Sequence, residues 1–264
     1  MNSHINTRKK FNNNKLIKMH SRILLISFFI THTIFSQQMQ KDSVVVKKIS
    51  YKELIIPTIL IGYGVVGIES DGLKFVNSGI KEEVNENIDK KITIDDFSQY
   101  APALSVYVLN ASGIKGKHNF KDRTIILGTS YLLMSATVLS LKSITKIERP
   151  DGSALNSFPS GHTATAFAGA EFLWQEYKDV SIWYGISGYI IATGTGAFRI
   201  YNDKHWLTDV VAGAGIGILS TKIAYWINPF IQKKIFHSKE KNSMSAIAPF
   251  YNGKQLGIGL IKTF

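Results

Sequence analysis

Arg199-Ile200-Tyr201-Asn202-Asp203-Lys204-His205-Trp206-Leu207-Thr208-Asp209 leads directly into an apolar stretch that continues to Ile227. A cation, a histidine and a carboxylate thus sit at the mouth of a long apolar helix. On a helix, residues four apart share a face, so Asp209 can accept a proton from one nitrogen of His205 and free the other to attack. A neighbouring anion also raises the basicity of the imidazole. Alone, the pattern fits an ordinary capped helix start with a half-buried histidine better than a catalytic pair.

Two other clusters change that balance. Pro159-Ser160-Gly161-His162 opens the apolar stretch Thr163–Trp174. A helix N-terminus offers free N–H groups and a partial positive charge to an anion. Ser160 can cap the helix or donate its hydroxyl, Gly161 allows close backbone approach, and His162 stands where a general acid would. Upstream, Lys142 is followed after six residues by Arg149-Pro150. Cations of this kind complement phosphoryl oxygens; a positively charged, topology-setting loop is the alternative. Lys146, between them, reads as solvated. Each cluster ends an apolar helix, and helices of alternating direction bring such ends to one face. The assembled inventory is Lys142, Arg149, Arg199, His162, His205, Asp209 and a helix N-terminus. It describes a phosphate anion facing a nucleophilic histidine. No His/Asp/Glu cluster has metal-ligand spacing, so the expected chemistry needs no metal or other cofactor.

In order and spacing these residues resemble the type 2 phosphatidic acid phosphatase superfamily, which also holds bacterial acid phosphatases and vanadium haloperoxidases. Its pattern is Lys-x6-Arg-Pro, Pro-Ser-Gly-His and Ser-Arg-x5-His-x3-Asp. Lys142, Arg149, Pro150, Pro159, Ser160, Gly161, His162, Arg199, His205 and Asp209 match; Phe198 stands where the family usually has Ser. The resemblance covers about 124–227. It implies an all-α, six-helix phosphatase/haloperoxidase-like bundle associated with a membrane. It also implies that His205 attacks phosphorus to give a phosphohistidine, Asp209 orients it, and His162 protonates the leaving oxygen. Lys142, Arg149, Ser160, Gly161 and Arg199 would hold the phosphoryl oxygens.

Outward from the motifs, six apolar stretches read as helices: 54–68, 97–109, 124–141, 163–174, 182–198 and 209–227. The first two are short. Fifteen residues reach about 22 Å, against a hydrocarbon core of about 30 Å. Glycines recur in the last two stretches, where small residues let helices approach closely. The segment between 70 and 96 reads as a loop.

The ends differ from this middle. Half of the net charge of +12 lies in residues 1–36, as Arg8, Lys9, Lys10, Lys15, Lys18 and Arg22 with no acidic residue. That basic region precedes the apolar run 23–30 and closes on Ser36, the pattern of an export signal, cleaved or retained as an anchor. The helical phosphatase domain is then expected over 37–230, and 231–264 as a basic linker and tail. Asn252-Gly253 in the tail marks a two-stranded hairpin, with a frayed tail as the alternative. Cysteine is absent, which excludes disulfides and thiol chemistry.

Positive residues before the third stretch (Lys115, Lys117, Lys121, Arg123) and after the sixth (Lys233, Lys234, Lys239, Lys241) would lie in the cytoplasm. The motifs then face outward, from the inner membrane to the periplasm. A cleaved signal followed by six spans would reverse this. The conflict disappears if 54–68 does not span or if the whole bundle is periplasmic.

The expected function is a lipid-phosphate phosphatase of the cell envelope, acting on phosphatidic acid, phosphatidylglycerol phosphate, a polyprenyl diphosphate or a lipid A phosphate. The rivals are a soluble periplasmic acid phosphatase, a vanadium haloperoxidase and a non-catalytic envelope protein. No motif indicates a nucleic-acid partner.

Overall fold

A computed structural model describes residues 50–87, 91–236, 245–251 and 256–262; the expected export segment 1–36 lies outside them. Among the described residues eight α-helices follow in order: α1 (Lys52–Glu69), α2 (Asp71–Asn87), α3 (Asp95–Ser98), α4 (Ala101–Ala111), α5 (Phe120–Thr145), α6 (Gly161–Tyr177), α7 (Ile182–Tyr201) and α8 (Leu207–Ile231). A π-helical turn, Gln232–Phe236, extends α8. The antiparallel hairpin of β1 (Ser245–Tyr251) and β2 (Leu256–Lys262) pairs Ser245 with Lys262 and Tyr251 with Leu256.

The six apolar stretches all form helices, but the six-helix count is exceeded by two. The added elements are α2, which comes wholly from the segment read as a loop, and α3, which spans the end of that segment and the start of the 97–109 stretch; that stretch is interrupted at Gln99-Tyr100 before α4 begins. α2 has few apolar residues and is held through polar groups. Asn77 Nδ2 donates to Thr208 Oγ1 (3.0 Å), and Lys81 Nζ donates to the Pro150 carbonyl (2.7 Å). A search for continuous apolar runs passes over such a helix, although Leu73, Val76, Ile80 and Val84 recur at helical spacing.

α6 is the hub, packing against α7, α8, α4 and α5. Its small residues allow this: Ala164, Ala166, Ala168 and Ala170 are fully buried. The approach of α8 is closest at Gly213 and Gly217. A Cβ on Gly213 would stand 2.5 Å from the Ser160 carbonyl oxygen, and one on Gly217 would stand 2.3 Å from that of Ala164. Glycine therefore sets the α6–α8 spacing, and with it the distance between the second and third motifs. Val106, Ile126, Phe172, Leu173, Tyr177 and Ala224 form the larger apolar core.

α5 and α8 are long and apolar enough to cross a membrane. At 1.5 Å per residue their 26 and 25 residues reach about 39 and 37 Å. α1 and α2 meet the same test only together and are bent by 92° at their junction, a broken span or a re-entrant pair. Gln232 Nε2, beyond the end of α8, donates to Asp122 Oδ1 at the start of α5 (2.7 Å). The two long helices are thus antiparallel, and their other ends carry the motifs.

Candidate active site

The loop between α5 and α6 carries Arg149, Pro150, Pro159 and Ser160 of the first two motifs and is tied down on both sides. Arg149 N donates to the Ala154 carbonyl (3.0 Å), Ser157 N to that of Ile147 (2.8 Å), and Asp151 pairs with Lys204 (2.6 Å) from the α7–α8 turn. Ser160 N donates to the Asp209 carbonyl (3.0 Å), which fixes the second motif on the third. Ser160 is the N-cap of α6. Its hydroxyl bonds Thr163 Oγ1 (2.9 Å) and is fully buried, so of its two expected roles the cap is the one formed here.

Lys142, near the end of α5, donates to the Asn156 and Ser157 carbonyls. Arg149 Nε donates to Asn156 Oδ1 (2.9 Å). Among the described residues neither cation has a carboxylate partner. Arg199, at the end of α7, is different. It is buried and bonds Asp95 through Nη1, with Asp96 at 3.9 Å, while its Nε has no partner among the described residues. Lys146 is exposed, as expected of a solvated side chain.

His205 is only 2% exposed. Its Nδ1 lies 3.6 Å from Asp209 Oδ2, within ion-pair reach but too long for a hydrogen bond. That oxygen instead accepts from Ser157 Oγ (2.5 Å) and from the Trp206 backbone N–H (2.9 Å). Asp209 therefore faces the imidazole with a carboxylate whose position is set by other groups. Catalytic hydrogen bonds are often long before substrate arrives. Ser157 was not legible as a site residue; it lies three residues before Ser160 in a stretch whose conformation no local pattern reveals. With Phe198 packed edge-on against Tyr201 (5.8 Å), Ser157 supplies a hydroxyl to the third motif.

Burial pushes the His205 imidazole down to about 4; Asp209 opposes this, and Lys142 and Arg199 add to it. The expectation that Asp209 would make His205 more basic is thus outweighed by desolvation. A neutral, buried imidazole is what a nucleophile requires. His162 is also held below its ordinary value, first by burial and then by Arg199, with Asp96 and Asp95 opposing. Desolvation and Arg199 likewise lower the Arg149 guanidinium.

His162 Nε2 lies 3.0 Å from Asp96 Oδ1. Asp95, Asp96 and His162 place one ligand atom each within 4.8 Å of one another, a cluster that spacing along the chain did not show. Asp95 is already committed, to Arg199 and to Asn202 Nδ2 (2.9 Å). Asn202 also clasps Ile92 through both its N–H (3.0 Å) and its carbonyl (2.7 Å), so the end of α7 holds the segment leading into α3 beside the site.

The fold and site define a helical chain that gathers two histidines, three cations and a helix N-terminus at one end of two antiparallel apolar helices. Over residues 145–233 the sequence matches the PAP2 superfamily. It is 41% identical over 141 residues to a lipid A 1-phosphatase of Porphyromonas gingivalis, covering 52% of this chain and 31% of that one. It is 34% identical over 74 residues to the bacitracin transport permease protein BcrC of Bacillus licheniformis, covering 28% and 34%. The chain thus spans about a third of the length of these curated relatives. Similar solved structures are Aquifex aeolicus LpxE (26% identity, TM-score 0.44, 57% of this chain and 94% of that one) and a transmembrane PAP2-type phosphatidylglycerolphosphate phosphatase of Bacillus subtilis (20%, 0.45, 70% and 100%). Two described helices long and apolar enough to cross a membrane make the chain, by length and composition, a membrane protein.

Proposed function

We propose that the chain is a metal-independent lipid-phosphate phosphatase working through a phosphohistidine on His205. The observation that carries this reading is the His205 imidazole, 2% exposed, with Nδ1 3.6 Å from Asp209 Oδ2; burial, with Lys142 and Arg199, favours its neutral form. In the proposed cycle a neutral nitrogen of His205 attacks phosphorus. The bond to the leaving oxygen breaks as His162 supplies its proton. Asp209 stabilises the positive charge that develops on the ring. Arg149, Lys142, Arg199 and the N-terminus of α6 at Gly161 hold the phosphoryl oxygens. Water then hydrolyses the phosphohistidine, with His162 taking back a proton. The need for developing-charge stabilisation explains why three cations are gathered here.

A lipid substrate is favoured by the setting. The motif end of the bundle is surrounded by exposed apolar side chains, among them Phe75, Ile94, Phe97 and Leu155. The P. gingivalis relative is named for action on lipid A, which puts a lipid A phosphate first among the candidates, ahead of phosphatidic acid, phosphatidylglycerol phosphate and polyprenyl diphosphate. The site is proposed to face the periplasm from the inner membrane. Lys117, Lys121 and Lys233 stand at the opposite end of α5 and α8, where the positive-inside rule puts the cytoplasm. Arg123, counted with them from sequence, is buried and donates to the His118 carbonyl, so it adds nothing to that argument. Residues 1–36 are proposed to direct export.

The test is phosphate release by purified protein with chelator present, on lipid A, phosphatidic acid and a polyprenyl diphosphate, for wild type and His205→Ala. Release that survives chelation and drops by about 10,000-fold or more in the variant supports the reading. Release that needs a divalent metal, or that persists in the variant, overturns it.

A further inference from the structure

α3 is a four-residue helix from a segment the motifs do not include, yet both its acidic residues point at motif residues. Asp95 is buried and holds Arg199. Asp96 is half exposed, lies 3.0 Å from His162 Nε2, and is 3.9 Å from Arg199. Its position is not accidental to a mobile loop. Asn202 grips Ile92 and Asp95, Ser98 Oγ bonds Thr195 Oγ1 (2.8 Å) on α7, and the Gln99 side chain closes on the Asp96 carbonyl (2.9 Å).

We propose that Asp96 is the positioning residue for His162, forming with it a second His–Asp pair that presents the leaving-group proton. This rests on the phosphatase reading of the site. With Nε2–H donated to Asp96, the other ring nitrogen, Nδ1, is the one left to face the substrate. In the imidazolium both nitrogens carry protons: one is held by Asp96 and the other passes to the leaving oxygen as its bond to phosphorus breaks. The ring is then neutral, in the single tautomer that Asp96 selects. The first pair, His205 with Asp209, keeps a nucleophile; the second keeps an acid. Their environments differ accordingly. His205 is buried against a carboxylate already engaged by Ser157 and Trp206, and His162 is partly exposed against a carboxylate that water also reaches.

The charged groups facing His162 are Arg199 from α7, which opposes its proton, and Asp95 and Asp96 from α3, which favour it. Removing the Asp96 charge leaves Arg199 and burial less opposed. The imidazolium then forms only at lower pH, and the ring loses its anchor.

Leaving groups report this directly. A p-nitrophenolate departs without a proton, whereas an alkoxide needs one. The experiment compares kcat/KM on p-nitrophenyl phosphate and on phosphatidic acid in detergent, across pH, for wild type, Asp96→Asn, Asp96→Glu and His205→Ala. The expected result for Asp96→Asn is a loss of about 10-fold or more on phosphatidic acid, part of the 100- to 10,000-fold that general acid catalysis supplies. On p-nitrophenyl phosphate the expected loss is under about 3-fold, because that leaving group draws little on the acid. The high-pH limb of the phosphatidic acid profile should move to lower pH, and Asp96→Glu should restore part of the activity. Equal losses on both substrates with an unmoved limb would mean a structural role and would overturn the proposal. A rise in activity would also overturn it, since Asp96 would then be a carboxylate obstructing the phosphate site. Activity in His205→Ala would instead remove the phosphatase reading itself, which keeps the two failures apart.

Discussion

The two ends of the bundle both bury charge, and they do so in opposite ways. At the end away from the motifs, Glu171 pairs with Lys222 (2.8 Å) and also accepts from Gln175 Nε2 (2.6 Å) and from Tyr189. Glu176 accepts from the His118 backbone (3.0 Å) and ring (2.7 Å) and from Tyr225 (2.7 Å). Each carboxylate there is saturated. At the motif end, Lys142 and Arg149 meet only neutral carbonyl and amide oxygens, and the Arg199 Nε meets none of the described residues. Buried charge with its counter-charge present holds a structure together; buried charge without one is a place for a ligand to supply it. Arg123, buried at the far end with its Nη1 also unpartnered among the described residues, and Arg199, paired with Asp95 at the motif end, are exceptions to that contrast; what marks the motif end is Lys142 and Arg149 gathered, among the described residues, without a carboxylate partner beside His205.

The largest expected effect that would break this contrast is at Arg149. Arg149→Ala should lower kcat/KM by about 100- to 1000-fold, the usual cost of losing one donor to developing charge. It should change stability little, because Arg149 has only one neutral side-chain partner. Steady-state kinetics paired with thermal unfolding reads both. At the other end the pattern should invert. Glu176→Gln should cost about 1–3 kcal/mol of stability, by leaving donors facing donors in a buried site. The kcat/KM of the folded fraction should not change. An activity loss there without destabilisation would mean that the network belongs to catalysis.

The smallest effect sharpens the picture of the motif end itself. His205 must be neutral to attack, so kcat/KM should rise as pH climbs through about 4. His162 must be protonated to donate, so kcat/KM should fall again as pH climbs through a value below its ordinary 6.5. The free enzyme should therefore have an acid optimum. A profile still climbing at pH 7 would show that burial does not lower the acid as the structure indicates.

Much of the motif end was legible because its residues are local. Pro159 to His162 is one turn, and His205 to Asp209 is one helix start. Apolar periodicity and length likewise marked all six long or core-facing helices, and the glycines of α8 do bring backbones together as their recurrence suggested. The hidden part depends on contacts distant in sequence. Asp95 and Asp96 reach His162 and Arg199 across more than sixty and a hundred residues, through a segment whose order comes from Asn202 and Thr195. The Asp209 geometry was also beyond a spacing rule. Spacing put Asp209 in the first turn of α8, but His205 precedes the Trp206 N-cap and lies outside that helix, so a shared helix face is not what brings the two together; Ser157 and the Trp206 N–H engage the carboxylate oxygen that faces the ring. Glu171 and Glu176 carry no local sign of their partners, which lie on α7, α8 and in the turn before α5.

Rapid quenching of wild-type turnover on a phosphorus-labelled lipid phosphate, followed by peptide mapping, tests the central claim most directly. An acid-labile label on His205 that forms and decays fast enough to account for phosphate release is the predicted result. Phosphate release at full rate with no label on His205 at any time would contradict it.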